Sequence, residues 1–228
     1  MASPEAAAST SGDDRWLTFD CFGTLIDWRH GIRTTSELIF PGAGDRLLAA
    51  YHAVEAHIQA ENPFKRYREV LAEGLRRASA SLSLELVDDD AAALGETLPH
   101  WPTFADVAPA LERCRAAGFR LAILTNCDRD LIARTLRHLP VPFDAVVTAE
   151  DVQAYKPNVA HFRHFESVRK ISRDRWIHVA QSYFHDIKPA HALGLRSIWI
   201  NRLGEREDES IATATLPGLA RLPEVLGI

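Results

Sequence analysis

The sequence predicts an α/β protein, a doubly wound parallel sheet interrupted by one all-helical insertion, and three observations carry that prediction. An apolar stretch, Trp16-Leu17-Thr18-Phe19, ends on a single carboxylate, Asp20, at a turn that Gly23 and Thr24 keep tight. From residue 119 onward, short β-prone runs alternate with helical spacing, and Gly118 and Gly194 stand where helices end and strands begin. Between the two, residues about 28 to 100 show helical spacing and no strand pattern.

Taken in order, residues 1–13 are rich in Ala, Ser and Pro without apolar periodicity, which predicts a disordered tail. The first strand follows over residues 16–19. Helical spacing then covers residues 45–58, 67–80 and 87–94. The punctuation Leu98-Pro99-His100-Trp101-Pro102 closes the insertion. Beyond it the pattern predicts helix 107–117, strand 119–125, helix 129–137, strand 145–148, helix 159–170, strand 175–180, helix 187–193 and strand 196–201. The domains expected are thus a core from 14–27 and 101–228, and a helical insertion from 28–100.

Composition narrows the chemistry. A chain of 228 residues, 46% hydrophobic and 25% charged, can bury a sizeable core plus a smaller satellite. Its net charge of −5, with 26 scattered Lys and Arg, offers no basic stripe for nucleic acid and no polybasic patch for lipid. No apolar run approaches the roughly 20 residues of a membrane helix, and the first residues lack a signal-peptide core, so the expected location is the cytoplasm. Cys21, Cys114 and Cys127 are odd in number and lack paired metal spacing, which predicts free thiols in a reducing compartment, with Cys21 and Cys127 as buried fillers.

Placing the polar residues on this map brings Asp20, Thr125-Asn126 and Asp186 just beyond the carboxyl ends of predicted parallel strands, the edge where open α/β sheets bind ligands. Lys156 follows strand 145–148 by a short loop. It precedes Pro157, which is expected to open the next helix, and its ammonium can reach the same edge. A carboxylate, a hydroxyl and amide pair, a cation and a second carboxylate can together perform displacement by a carboxylate nucleophile. Each has a plainer reading: Asp186 as a helix cap, Thr125-Asn126 as a turn, Lys156 as a solvated charge. The isolated histidines His52, His57, His178 and His185 read first as packed or solvated residues.

The residues resemble the haloacid dehalogenase superfamily of hydrolases over positions about 15 to 201. The motifs occur in order as Asp20-Cys21-Phe22-Gly23-Thr24-Leu25, Leu124-Thr125-Asn126, Tyr155-Lys156-Pro157, and His178-Val179-Ala180-Gln181-Ser182-Tyr183-Phe184-His185-Asp186. The resemblance implies a Rossmann-like core with the helical segment as a cap. It implies that Asp20 is the nucleophile and forms a covalent ester or acyl-phosphate, that Lys156 steadies it, and that Asp186 organises the second step. Thr24 joins that catalytic set, while Cys21, Phe22, Thr125, Asn126, Ser182 and Tyr183 become the expected substrate contacts.

Phe22 stands where the phosphatases of the superfamily carry a second Asp, and Ala180-Gln181 where they favour Gly-Asp. An aromatic at position 22 is instead similar to the type II 2-haloacid dehalogenases, which need no metal. The function implied is hydrolytic dehalogenation of a small 2-haloacid with no cofactor and no metal. The alternative is another hydrolase of the superfamily, a phosphatase or a C–N or C–O hydrolase of a small carboxylate; a non-catalytic binding protein is the third reading. The chain departs from the type II pattern in lacking an Arg over residues 47–59, and in Phe162, Gln181 and Tyr183. Those departures point to an unusual substrate, such as a fluoroacid aided by donors among His52, His57, Trp28 or Tyr183. The expected partner is a small carboxylate, with neither nucleic acid nor membrane; a homodimer stays open.

Overall fold

A computed structural model describes residues 14–228, so the expected tail over 1–13 lies outside the described residues. Strand β1 (Arg15–Phe19) enters the core at once, with Leu17 and Phe19 fully buried. Helices then run without interruption by a strand: α1 (Trp28–Ile39), α2 (Gly44–Gln59), α3 (Tyr67–Ser81), a 3₁₀ turn over Asp88–Ala92, α4 (Ala93–Thr97) and a short 3₁₀ turn to His100. The helix expected over 87–94 is therefore divided. Its opening residues Asp88-Asp89-Asp90 supply no apolar stripe, and only Ala91 and Leu94 turn inward.

The chain then runs α5 (Val107–Ala116), β2 (Phe119–Thr125), α6 (Arg129–Thr135), β3 (Ala145–Thr148), α7 (Ala149–Val152), α8 (Ala160–Arg169), β4 (Trp176–Ala180), α9 (Lys188–Ala192) and β5 (Arg196–Ile200), the expected alternation with the short α7 added. Besides α7, further elements escape the sequence pattern. A π turn occupies Tyr183–Ile187 ahead of α9, and a three-residue strand β6 (Ala214–Leu216) adds a sixth strand before the terminal helix α10 (Leu222–Val225). Three residues are too few to display alternation.

All strand pairs are parallel in the order β3-β2-β1-β4-β5-β6. Strand β1 sits inside the sheet, flanked by β2 and β4, so its carboxyl end lies at the point where the winding reverses. Phe19 pairs with Ile123 and with Val179, which brings Asp20 level with the ends of β2 and β4. Gly118 and Gly194 take φ of +84° and +67°, the left-handed conformation that ends a helix and feeds the next strand.

The insertion has its own packing and is tied to the core at defined points. The Tyr51 ring of α2 lies against Gly74 of α3, where even a methyl group would stand 2.5 Å from the ring. Gly31 of α1 gives the same room to the Trp101 ring, and Trp101 meets Phe22 edge-to-face at 6.2 Å. Asp128, buried at the end of the β2 loop, accepts from the first N–H groups of α3, Tyr67 (2.7 Å) and Arg68 (3.1 Å). It caps a helix some 60 residues away, and α3's own capping residue, Arg66, has no short acceptor side chain to do so. Among the described residues, no helix is long and apolar enough to cross a membrane.

Candidate active site

The turn after β1 is built around Asp20. Gly23, at φ +98°, donates to the Ile26 carbonyl at 2.8 Å, and Leu25 and Ile26 donate back to the Cys21 carbonyl. That knot holds Asp20 beyond the strand with little room to move. Its carboxylate is almost buried, at 7% exposure, and each oxygen has an assigned partner: Lys156 Nζ on Oδ1 at 2.9 Å and Thr24 Oγ1 on Oδ2 at 2.9 Å. Thr24 in turn accepts from the Gln181 N–H, so one hydroxyl connects the β1 turn to the end of β4.

Lys156 is more deeply buried than either carboxylate's surroundings suggest from sequence, at 1% exposure. Its three ammonium protons go to Asp20 Oδ1, to Asp186 Oδ1 at 2.7 Å and to the Leu124 carbonyl at 2.9 Å. One cation thus stands between two carboxylates. Both keep it protonated, against the cost of burial. Burial pushes the Asp20 carboxyl upward; Lys156 opposes that and the Asp186 charge adds to it. Asp186 is held below the ordinary carboxylate range despite its burial, by the Lys156 charge and by the His178 hydrogen bond.

Asp186 does not cap the helix that follows; Ser182 and the π turn occupy that place. Its Oδ1 accepts from both Lys156 and His178 Nε2 (2.9 Å), and its Oδ2 is buried with no partner among the described residues. The His178 tautomer follows from the next contacts. Asp186 Oδ1 is a carboxylate oxygen and can only accept, so His178 Nε2 carries the proton that reaches it, and Nδ1 lies 2.9 Å from the Thr18 hydroxyl, which also accepts from Trp176 Nε1 at 2.7 Å. His178 is a positioning residue on β4. In sequence it looked like any isolated histidine; the signal was its place two residues before the strand end, on the face that Thr18 shares through the register Thr18 with His178.

The remaining expected residues fall into two groups. Phe22 and Thr125 border the same cavity as Asp20. Asn126 borders it too, but its amide first clamps the Lys156 backbone, accepting from its N–H at 2.7 Å and donating to its carbonyl at 3.2 Å. Pro157 does not open the helix after Lys156; α8 begins at Ala160. Cys21, expected as a substrate contact, turns its side chain fully into the core, where burial pushes the thiol well up, and it does not border the cavity. Ser182 engages His185, with Oγ and Nδ1 2.9 Å apart, and the Tyr183 hydroxyl donates to the Asp208 carbonyl rather than standing free as a donor. His57 is exposed on α2 and lies outside the cavity, whereas Trp28 and His52 border it.

The cavity encloses about 780 Å³, with the sheet edge on one side and α1, α2 and the start of α3 on the other. Three arginines border it that the sequence reading did not single out: Arg29 and Arg33 from α1, and Arg202 after β5. Arg202 is held by Asp106 through two hydrogen bonds of 2.9 and 2.8 Å and lies over the Phe104 ring at 3.8 Å. Arg29 and Arg33 are one helical turn apart, which no motif spacing in the long second helix would reveal.

Residues 15–194 match the family model of the haloacid dehalogenase-like hydrolases. The chain is 26% identical over 205 residues to an (S)-2-haloacid dehalogenase of Pseudomonas putida, covering 87% of this chain and 89% of that one. It is 27% identical over 199 residues to haloacetate dehalogenase H-2 of Moraxella sp. (strain B), covering 85% and 88%. The fold is that of the L-2-haloacid dehalogenase of Xanthobacter autotrophicus solved with chloropropionic acid covalently bound, at a TM-score of 0.83, 19% identity and coverage of 94% and 98%.

Proposed function

The chain belongs to the haloacid dehalogenase-like hydrolases, and we propose that it hydrolyses the carbon–halogen bond of a small 2-haloacid through an ester formed on Asp20. One observation carries the reading. Asp20 is an aligned carboxylate, fixed at both oxygens, facing a cavity in which its neighbour at position 22 is a phenyl ring and not an acid. Two similar proteins are named for this chemistry, and a third holds a chlorinated acid covalently.

In this reading an Asp20 oxygen attacks the halogen-bearing carbon, the C–X bond breaks with its electron pair on the halide, and an aspartyl ester remains. Water then attacks the ester carbonyl. The unpartnered Asp186 Oδ2 lies at the same edge and is the acceptor for a proton of that water, while Lys156 and His178 hold Oδ1. The arginines bordering the cavity supply the positive charge that a substrate carboxylate requires. Phe22, set by Trp101, walls the reacting carbon on one side, which fits two- and three-carbon acids such as haloacetates, fluoroacetate included.

The phosphatase reading calls for Mg²⁺, and the occupied carboxylates at the edge weigh against it. The two carboxylates at the edge converge on the Lys156 ammonium, Phe22 and Gln181 supply no further acid, and no group of three His, Cys, Asp or Glu among the described residues could hold a metal ion.

Halide release from fluoro-, chloro- and bromoacids, in excess chelator, tests the proposal. The wild-type protein is expected to turn over fully there and to yield a substrate-derived mass increment on Asp20 when trapped. Asp20→Asn should lower the rate by on the order of 10⁴-fold or more with the fold intact. Phosphate-ester hydrolysis that strictly requires Mg²⁺, with no halide released, would replace this reading by the phosphatase one.

A further inference from the structure

The wall opposite Asp20 carries a carboxyl group that the mechanism so far leaves idle. Glu55, on α2, borders the cavity together with Tyr67, Trp28 and His52. Its Oε1 accepts from the Tyr67 hydroxyl at 2.9 Å and from the Tyr51 hydroxyl at 3.3 Å, and no Lys, Arg or His among the described residues pairs with it. Buried tyrosines orient the group without neutralising it. Tyr51 is packed on Gly74, and Tyr67 is anchored through its N–H to Asp128 of the core, so the carboxyl is held from both flanking helices.

In-line displacement sends the leaving group away from Asp20, toward the residues of α1, α2 and α3. We propose that Glu55 is a second catalytic group, a carboxylic acid whose proton goes to fluoride as Asp20 displaces it; this rests on the dehalogenation reading above. With fluoride leaving, Asp20 Oδ bonds to carbon, the C–F pair goes to fluoride and the Glu55 O–H bond breaks toward it, giving HF, the aspartyl ester and the Glu55 carboxylate; chloride and bromide leave as anions with the proton still on Glu55. In the second step the water oxygen bonds to the ester carbonyl carbon and gives one proton to Asp186; the carbonyl carbon–oxygen bond to the substrate breaks, the alkoxide leaves as the hydroxyacid with the other proton of that water, and the proton on Asp186 passes to solvent, from which Glu55 is reprotonated. The sum is a haloacid plus water to a hydroxyacid plus HX. Fluoride is the most basic halide and gains most from this proton; bromide gains least. The site is thereby assigned the capacity to release fluoride.

Burial pushes the Glu55 carboxyl up to about 7, while the two tyrosine hydroxyls, which favour its charged form, pull it back. The group is therefore protonated below neutrality and loses its proton above. Besides Tyr51 and Tyr67, Tyr155 faces it from the core, and Arg29, Arg33, Asp45, His52 and His185 border the same cavity.

The test compares kcat for fluoroacetate, chloroacetate and bromoacetate in the full chain and in Glu55→Gln, across neutral pH. Glu55→Gln keeps the hydrogen bonds to the tyrosines but has no acidic proton. Fluoride release should fall by about 10²-fold or more, chloride release by less, and bromide release by no more than about threefold. In the wild type, fluoride release should decline above pH about 7, and that limb should vanish in Glu55→Gln. Tyr67→Phe, which removes one donor to the charged form, should move the limb to higher pH. An equal loss on all three halides, an undiminished fluoride rate, a fixed limb in Tyr67→Phe, or a wild type that releases bromide but no fluoride would each overturn the proposal. A wild type that releases no halide from any of them overturns the dehalogenation reading itself, and the Glu55 role with it.

Discussion

On the sheet edge, Asp20 and Asp186 share one ammonium at 2.9 and 2.7 Å, and nearly every polar atom has an assigned partner. On the helical wall across the cavity, Glu55 has two phenol hydroxyls and no cation. The edge thus fixes charge and the insertion leaves it titratable. A nucleophile must be ionised and aligned before substrate arrives, which a buried cation at hydrogen-bond distance secures. A proton donor must be able to change state, which a buried cation would prevent.

Removing the cation is the strongest way to break that contrast. Lys156→Gln leaves two buried carboxylates facing each other, and turnover should fall by at least about 10³-fold. The folded protein should lose about 3–5 kcal/mol at neutral pH, because an uncompensated buried charge remains. The pH dependence then inverts. In the wild type Asp186 is held low, so its stabilisation is complete above the ordinary carboxylate range and is lost as pH falls below that range toward its lowered value. In the variant one carboxyl is raised, so the folded state binds the extra proton; stability is better at about pH 5 than at about pH 8. Urea unfolding at the two pH values reads this directly.

Loosening the latch between the walls should cost less. Asp128→Ala strips the cap from the start of α3 and is expected to destabilise by about 1–2 kcal/mol. Tyr67 carries one of the two hydroxyls on Glu55, so this variant should raise KM and blunt fluoride release while leaving the Asp20–Lys156 pair in place. Denaturant midpoints and the halide ratio measure the two effects separately; a variant with a normal ratio would show that the latch does not position Glu55.

Phe22→Ala should have the smallest effect. Opening space beside the reacting carbon is expected to shift chain-length preference toward longer acids by a few-fold, at some loss of rate. An unchanged profile with lowered stability would make Phe22 a packing residue of Trp101 alone.

Much of this was legible in the chain. The strands expected over 119–125 and 145–148 are found at those residues, and β1, β4 and β5 differ by a residue at one end. Apolar runs between glycines specify buried parallel strands strongly, because both faces must be apolar. Asp20 was legible because a strand end displays its next residue, whereas Lys156 and Asp186, eight and six residues past their strands, were legible through the ordered motifs of the resembled family. Tyr183 and Asn126 were placed near the site correctly but with other tasks: a hydroxyl's partner, such as the Asp208 carbonyl 25 residues away, is set by a loop whose path no local pattern encodes.

By itself, then, the sequence determined the sheet, the helical insertion and the carboxylate at the end of β1, since these follow from local polarity period and turn chemistry. Tertiary structure decided what each polar group does. The Thr18–His178–Asp186 relay joins residues 160 apart, Asp128 caps α3 from 61 residues away, and Arg29, Arg33 and Glu55 meet the sheet edge only because α1 and α2 fold back over it. Hydrogen bonds of this kind depend on distances of a few ångströms between segments that no sequence spacing relates, and the two carboxylates that hold Lys156 charged, like the burial that raises Glu55, exist only once those segments have packed.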